Sequence, residues 1–336
     1  MKIKFLNPVS AYGAEILNAL CEAGFDADKV STYSTQIEKT RTVSFGDTPL
    51  PLRDVADLKL EEGDLLLSDC GGTRGQKIIA EAVTVKAFAL DIYGILRTDP
   101  DAPVFTTNFS KEAEALFGKS YKARLPNVFA MHLDRLISPL IKKGGEDVRA
   151  VVTGLLPASH FGRAAMDELF SQTRMMYMNE KARPQEYQKQ IAFNLLPTSG
   201  DIMKNGEDEE EWATSVDCKQ IFGRKFKTLM QCVSAPVYST QSLQVNLSFA
   251  KDFSAEDARA CWSSDGRMQL VESTGQLEYM TPAEASGDET LFISRLRDDS
   301  TTENGISFWS VADNLRLKAS EAVRFCQMCD GRALSA

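Results

Sequence analysis

Apolar positions in the first hundred residues form short runs separated by stretches of helical spacing. Residues 2–6 read as a strand, 7–13 as a turn, and 14–23 as a helix with Ile16, Leu17 and Leu20 on one face. Gly24 is placed to close that helix. Residues 64–68 and 87–91 are the next strand candidates, and 76–83 between them have helical spacing. Strands and helices alternating at this interval predict a parallel, doubly wound α/β sheet.

From about residue 128 the pattern changes. Residues 133–140 read as a helix, 148–153 as a strand, and 161–170 as a helix with Ser159 as its cap. Residues 233–237, 243–249 and 291–297 alternate or run apolar as strands do. Ser254-Ala-Glu-Asp257 has capping-box form and opens a helix carrying Ala258 and Trp262. Many strands with few crossovers predict an α+β domain with a mainly antiparallel sheet. The acidic run at 206–211 reads as a solvated loop or a first helical turn. The last helix, 314–328, is long enough to return to the first domain.

Composition narrows the partners. Of 336 residues, 43% are hydrophobic and 25% charged, as in ordinary globular proteins. The net charge of −9 argues against a nucleic-acid partner. No apolar run approaches the roughly 18 residues that span a bilayer, so no membrane partner is expected. The start, Met1 to Pro8, is too short in apolar length for a signal peptide. Seven scattered cysteines suit a reducing cytoplasm. The pair Cys326 and Cys329 lies in a helical pattern with no second pair and no nearby His, so no metal is expected.

Five segments, in order, resemble the aspartate-β-semialdehyde dehydrogenase family. They are Ala89-Leu-Asp91 with Leu96-Arg-Thr-Asp-Pro-Asp-Ala-Pro103, then Gln190-Ile-Ala-Phe-Asn-Leu-Leu-Pro197, then Ser234-Ala-Pro-Val-Tyr-Ser-Thr-Gln-Ser-Leu-Gln-Val-Asn246. Arg295-Leu-Arg-Asp-Asp299 and Phe308-Trp-Ser-Val-Ala-Asp-Asn-Leu-Arg316 complete the set. The resemblance implies a Rossmann-like nucleotide-binding domain over 1–127 with 313–336, and a dimerisation and substrate domain over 128–312. It also implies a homodimer and NADPH-dependent reduction of an acyl phosphate through a thioester. That chemistry needs a thiolate, a His base, an Arg for the substrate carboxylate, and a Gly-rich turn for the cofactor.

Each requirement meets a departure in this chain. The family's nucleophile follows a Pro-Asn pair; here Pro126-Asn127 is followed by Val128, whose side chain has no lone pair to attack a carbonyl. Gln241 stands at the position of the base and cannot take up a proton near pH 7. Ser234 stands where the Arg fork should be. Asp217 aligns with the family's amine-binding Glu, and Leu156 with a pocket Gln. His160 resembles a residue of a loop shaping the substrate pocket, while His132 reads as a packed or surface residue. The Gly-rich turn maps onto Asn7-Pro-Val-Ser-Ala-Tyr-Gly13, which keeps Gly13 and the small Ser10 but gains Pro8 and Tyr12. Gly71 and Gly72 remain as a second turn for a nicotinamide or another flat ligand, and Asn314 of the closing motif counts with the cofactor positions.

These departures together point to a degenerate relative: a pseudoenzyme acting as a dimeric scaffold or binding an unidentified small molecule. NADP or NAD binding is expected to be weakened or lost. The alternative is an NAD(P)-dependent semialdehyde dehydrogenase with relocated or non-thioester chemistry. Cys232 is its candidate nucleophile, two strand positions from Ser234 and therefore on the same face, with Lys219 or Lys227 as neighbours.

Overall fold

Three consecutive leucines, Leu65 to Leu67, are fully buried, as a central parallel strand with both faces covered requires. They belong to the first of two compact units into which the chain divides in a computed structural model, Met1–Pro126 with Lys318–Ala336 and Asn127–Leu317. The structure describes residues 1–36, 42–107, 109–272 and 279–331. The sequence expectation set these boundaries at 127/128 and 312/313; the second division falls instead inside the last helix. Among the described residues no helix is long and apolar enough to cross a membrane.

The first unit holds strands β1 (Ile3–Leu6), β2 (Val30–Ser34), β3 (Thr42–Phe45), β4 (Thr48–Asp54), β5 (Leu65–Ser68), β6 (Phe88–Asp91) and β7 (Lys122–Arg124). They run in the order β3-β4-β2-β1-β5-β6-β7. All neighbours pair parallel except the β3/β4 hairpin. Helices α1 (Ala11–Glu22), α2 (Gly72–Thr84) and α3 (Lys111–Ser120) lie in the chain between them. From β1 the sheet grows one way through β2 and the other way through β5. The carboxyl ends of β1 and β5 therefore form the topological switch point, where doubly wound folds bind ligands.

The second unit holds α4 (Val128–Gly144), β8 (Val148–Leu156), α5 (Arg163–Tyr177), α6 (Glu209–Phe222), β9 (Lys227–Ser234), β10 (Gln241–Phe249), α7 (Ala255–Trp262), β11 (Met268–Val271), β12 (Leu291–Asp298) and β13 (Gly305–Ala312). Its six strands run β11-β12-β13-β10-β8-β9. The three central pairings are antiparallel and the two outer ones parallel. Phe129, Leu133, Leu136, Ile137 and Leu140 form the apolar stripe of α4 and share one core with Val152, Leu243, Val245, Trp262 and Phe308. Helix α8 (Asn314–Cys329) starts in this unit and continues into the first.

Several local expectations shift. The helix expected at 133–140 starts at Val128 and ends at Gly144. Ser159 does not cap the following helix; it is buried in a short 3-10 turn, and α5 begins after Gly162. The strand expected at 233–237 is the end of β9, because Pro236 interrupts the ladder that Lys227–Ser234 forms with β8. The acidic run opens α6 through a capping box of Asp208 and Glu211, so it includes the expected first helical turn. The capping box at Ser254 and Asp257 stands as written in the sequence.

Candidate functional site

In the second unit four of the positions singled out by sequence, Asn127, Asp217, His160 and Gln241, gather at the start of α4. Asn127 is its N-cap, accepting from the Ala130 amide at 2.8 Å. The Asn127 side-chain amide donates to Thr214 Oγ1 at 2.7 Å and to Glu210 Oε2 at 3.1 Å. Its backbone N–H donates to the Asp217 carboxylate at 2.7 Å. Asp217 is fully buried, so this acid is directed at the backbone of the α4 entry. His160 approaches the same corner, its Nε2 lying 3.4 Å from Glu210 Oε1 and its ring edge-on to Phe161. Asn127, Asp217, Glu210 and His160 thus form one polar cluster.

Val128, the first residue of α4, is buried and presents only hydrocarbon where the resemblance places the nucleophile. Its carbonyl accepts from Gln241 Nε2 at 3.0 Å, and the same amide nitrogen lies 3.1 Å from His132 Nδ1. On its other side His132 Nε2 lies 2.8 Å from Ser310 Oγ, which gives its own proton to the Phe292 carbonyl at 2.9 Å. One hydroxyl proton cannot serve both neighbours, so Ser310 accepts from His132. That assigns the ring proton to Nε2 and leaves Nδ1 to accept from Gln241. Burial, with the Arg135 charge adding to it, lowers the His132 pKa to about 3, so the ring is neutral. The chain Gln241–His132–Ser310 is a buried polar brace, and Gln241 Oε1 is left inside it without a hydrogen-bond partner. Gln241 follows Thr240, a β-branched residue at φ +76°, a conformation held only where the surroundings enforce it. The Thr240 amide donates to Asn314 Oδ1 at 3.1 Å, and Ser159 Oγ donates to the same oxygen at 3.1 Å. Asn314 therefore sits buried at the β10 entry.

Ser234 and Cys232 do share one face of β9, and both are buried. Ser234 donates to the Thr198 carbonyl at 2.7 Å. The Cys232 thiol is pushed far above its usual range by burial and by the charges of Asp208, Glu210 and Glu211. Lys219 and Lys227, the expected activators, are solvent-exposed and are not among the charges acting on it. Asp208, Glu211 and Cys232 bring ligand-type atoms within 4.8 Å of one another. Both carboxylates already hold backbone amides: Asp208 those of Glu211 at 2.9 Å and Ser199 at 2.6 Å, Glu211 those of Asp208 at 3.0 Å and Cys232 at 2.8 Å. Those bonds account for their proximity.

In the first unit the turn after β1 is tied to the residues that follow β2 and β5. Asn7 takes φ +59°, and its side-chain oxygen accepts from the Thr35 amide at 2.9 Å. Ser10 caps α1, accepting from the Gly13 amide at 2.9 Å and donating to the Asp69 carboxylate at 2.6 Å. Gly13 is required sterically, because a Cβ there would come within 2.6 Å of the Pro8 backbone. At the second turn Gly71 precedes α2, Gly72 takes φ +67°, and the Tyr93 ring lies so close that a Cβ on Gly71 would be 2.7 Å from it. Asp69, His132 as the partner of Gln241, and Thr214 escape sequence reasoning. Only Asp69 carries a local signal, as an acid directly after a strand at the start of a Gly-Gly turn.

A family model of the semialdehyde dehydrogenase dimerisation domain matches residues 137–317. The chain is 30% identical over 308 residues to an aspartate-semialdehyde dehydrogenase of Rickettsia bellii (strain RML369-C), covering 92% of this chain and 91% of that protein. It is 24% identical over 331 residues to the protein of that name from Aquifex aeolicus (strain VF5), covering 97% of each. Among solved structures, aspartate semialdehyde dehydrogenase II from Vibrio cholerae complexed with ASA has a TM-score of 0.91 at 23% identity, with 98% of each chain covered. The enzyme from Candida albicans with NADP has a TM-score of 0.68 at 16% identity, covering 98% of this chain and 99% of that one. At these identities the structural likenesses establish the fold.

Proposed function

This chain belongs to the aspartate-semialdehyde dehydrogenase family, and from that premise we propose that it is a member without the phosphorylating dehydrogenase activity, serving as a dimeric scaffold or a small-molecule-binding protein. The observation that carries the reading is Val128, a buried hydrocarbon side chain at the first position of α4, immediately after the Asn127 cap. A thioester needs a thiolate at that place, and no other residue of the first turn (Phe129, Ala130, Met131) supplies one. Gln241 supports the same reading, since its amide is committed to the Val128 carbonyl and to His132. So does Ser234, which offers a single neutral hydrogen bond in place of a guanidinium fork.

The proposed assembly is a homodimer built on the unit that matches the dimerisation domain. Exposed Phe170, Tyr177, Met178, Phe193, Leu195 and Ile202 all lie in this unit and support a buried protein contact there. The proposed cofactor class is NADP or NAD with weakened affinity, supported by the loss of two of the three glycines from the turn after β1. The test is the appearance of NADPH when the full chain meets aspartate semialdehyde, phosphate and NADP, with the Rickettsia bellii relative as positive control. No phosphate-dependent NADPH is expected from this chain. Phosphate-dependent turnover would overturn the reading.

A further inference from the structure

The Asp69 carboxylate sits where a doubly wound fold would place the phosphates of a ligand. Asp69 directly follows β5, and its Oδ2 takes the Ser10 hydroxyl proton at 2.6 Å. Ser10 is the N-cap of α1, a twelve-residue helix, and the same hydroxyl oxygen holds the Gly13 amide at 2.9 Å. Asn7 Nδ2 donates to the Asp69 carbonyl at 3.3 Å, tying the turn after β1 to the turn after β5. These two turns flank the switch point of the sheet. The N-terminal end of a helix at that crevice attracts negative charge, and here the negative charge comes from the chain itself. Beside it, the half-exposed Tyr93 ring lies against Gly71, so a flat group already rests on the second glycine turn.

We propose that Asp69 is a specificity determinant of the first unit: its carboxylate takes the anion position at the start of α1 and turns the crevice against phosphate-bearing ligands. The proposal rests on the reading that dinucleotide binding is weakened in this chain, and it names the residue chiefly responsible. Two negative charges roughly 5 Å apart at an effective dielectric of about 20 repel enough to change a dissociation constant on the order of a hundredfold. Asp69→Asn would remove that repulsion and leave the α1 amides to attract phosphate. Arg74, whose Nη1 holds the Thr35 carbonyl at 2.8 Å, would remain as a nearby cation.

The experiment is calorimetric titration of the full chain with adenosine, ADP and NADP. Asp69→Asn and Asp69→Ser are compared with wild type, and Asp47→Asn, on the exposed β3/β4 turn, serves as the charge control. In wild type, ADP is expected to bind no more tightly than adenosine. In both Asp69 variants ADP and NADP should tighten at least tenfold, with adenosine and the Asp47 control unchanged. The wild-type comparison needs no variant to fold: ADP binding tenfold tighter than adenosine would overturn the proposal, as would equal affinities in wild type and variants, or equal gains for adenosine and ADP. Turnover is a separate readout. NADPH formation would count against the loss of activity, whereas tight wild-type binding without turnover would remove only the role of Asp69.

Discussion

His132 gives the second unit a pH-dependent stability whose size follows from its burial. In the folded chain the ring is neutral, with a pKa lowered to about 3 from an ordinary 6.5 by burial and the Arg135 charge. As pH falls below 6.5 the unfolded chain takes up a proton that the folded chain refuses until about pH 3. Stability from this group is therefore fully present above pH 6.5 and is lost on acidification at about 1.4 kcal/mol per pH unit. Between pH 7.5 and 5.5 the loss is about 1.4 kcal/mol from this ring alone. The window lies above the range in which Asp99, Asp265 and Glu272, all held low by basic partners, take up protons. His132→Gln keeps one acceptor for Gln241 and one donor for Ser310 but does not titrate. All three tryptophans, Trp212, Trp262 and Trp309, lie within 127–317, so fluorescence reports on this unit. Urea unfolding of both proteins at the two pH values should show wild type losing about 1.4 kcal/mol more than the variant. Equal losses in the two proteins would refute the assigned neutral tautomer and its brace.

Other consequences follow from the same geometry. Asn127→Ala removes the α4 cap and the bond to Thr214; it should cost about 1–2 kcal/mol in the same urea assay, and an unchanged midpoint would deny the cap its role. Native Cys232 should alkylate at least tenfold more slowly than the partly exposed Cys21, as read by peptide mass spectrometry; equal rates would mean that the thiol is reachable and ionised. Gly13→Ala forces a Cβ to within 2.6 Å of Pro8; it should destabilise the first unit by about 1–3 kcal/mol in calorimetry, and a neutral effect would show that the turn yields freely.

What could be read from the chain was what is local or strongly periodic. The β1–α1 unit, the capping box at Ser254 and the apolar stripe of α4 are written in neighbouring residues. Strand β2 escaped because Thr32 and Ser34 are buried polar residues that break any apolar run. Helix α6 escaped because its buried face includes Thr214, Asp217 and Cys218, and shows little apolar period. The replacements Val128, Gln241 and Ser234 were legible only through resemblance, since each is unremarkable by itself. What Gln241 does instead was not legible, because His132 lies 109 residues before it and is itself 178 residues from Ser310. Asp69 and Ser10 are separated by 59 residues, and only the meeting of β1 with β5 brings them together.

The central claim is that no cysteine of this chain forms the thioester on which the family's chemistry depends. Its most direct test is the intact mass of the full chain after incubation with aspartate semialdehyde and NADP in the absence of phosphate. An acid quench keeps a thioester and hydrolyses imines. An acyl-enzyme would arise by thiolate addition to the aldehyde and hydride transfer to NADP, and without phosphate it would accumulate. The account predicts the unmodified mass. A single aspartyl adduct on Cys232, or on any other cysteine, would contradict it.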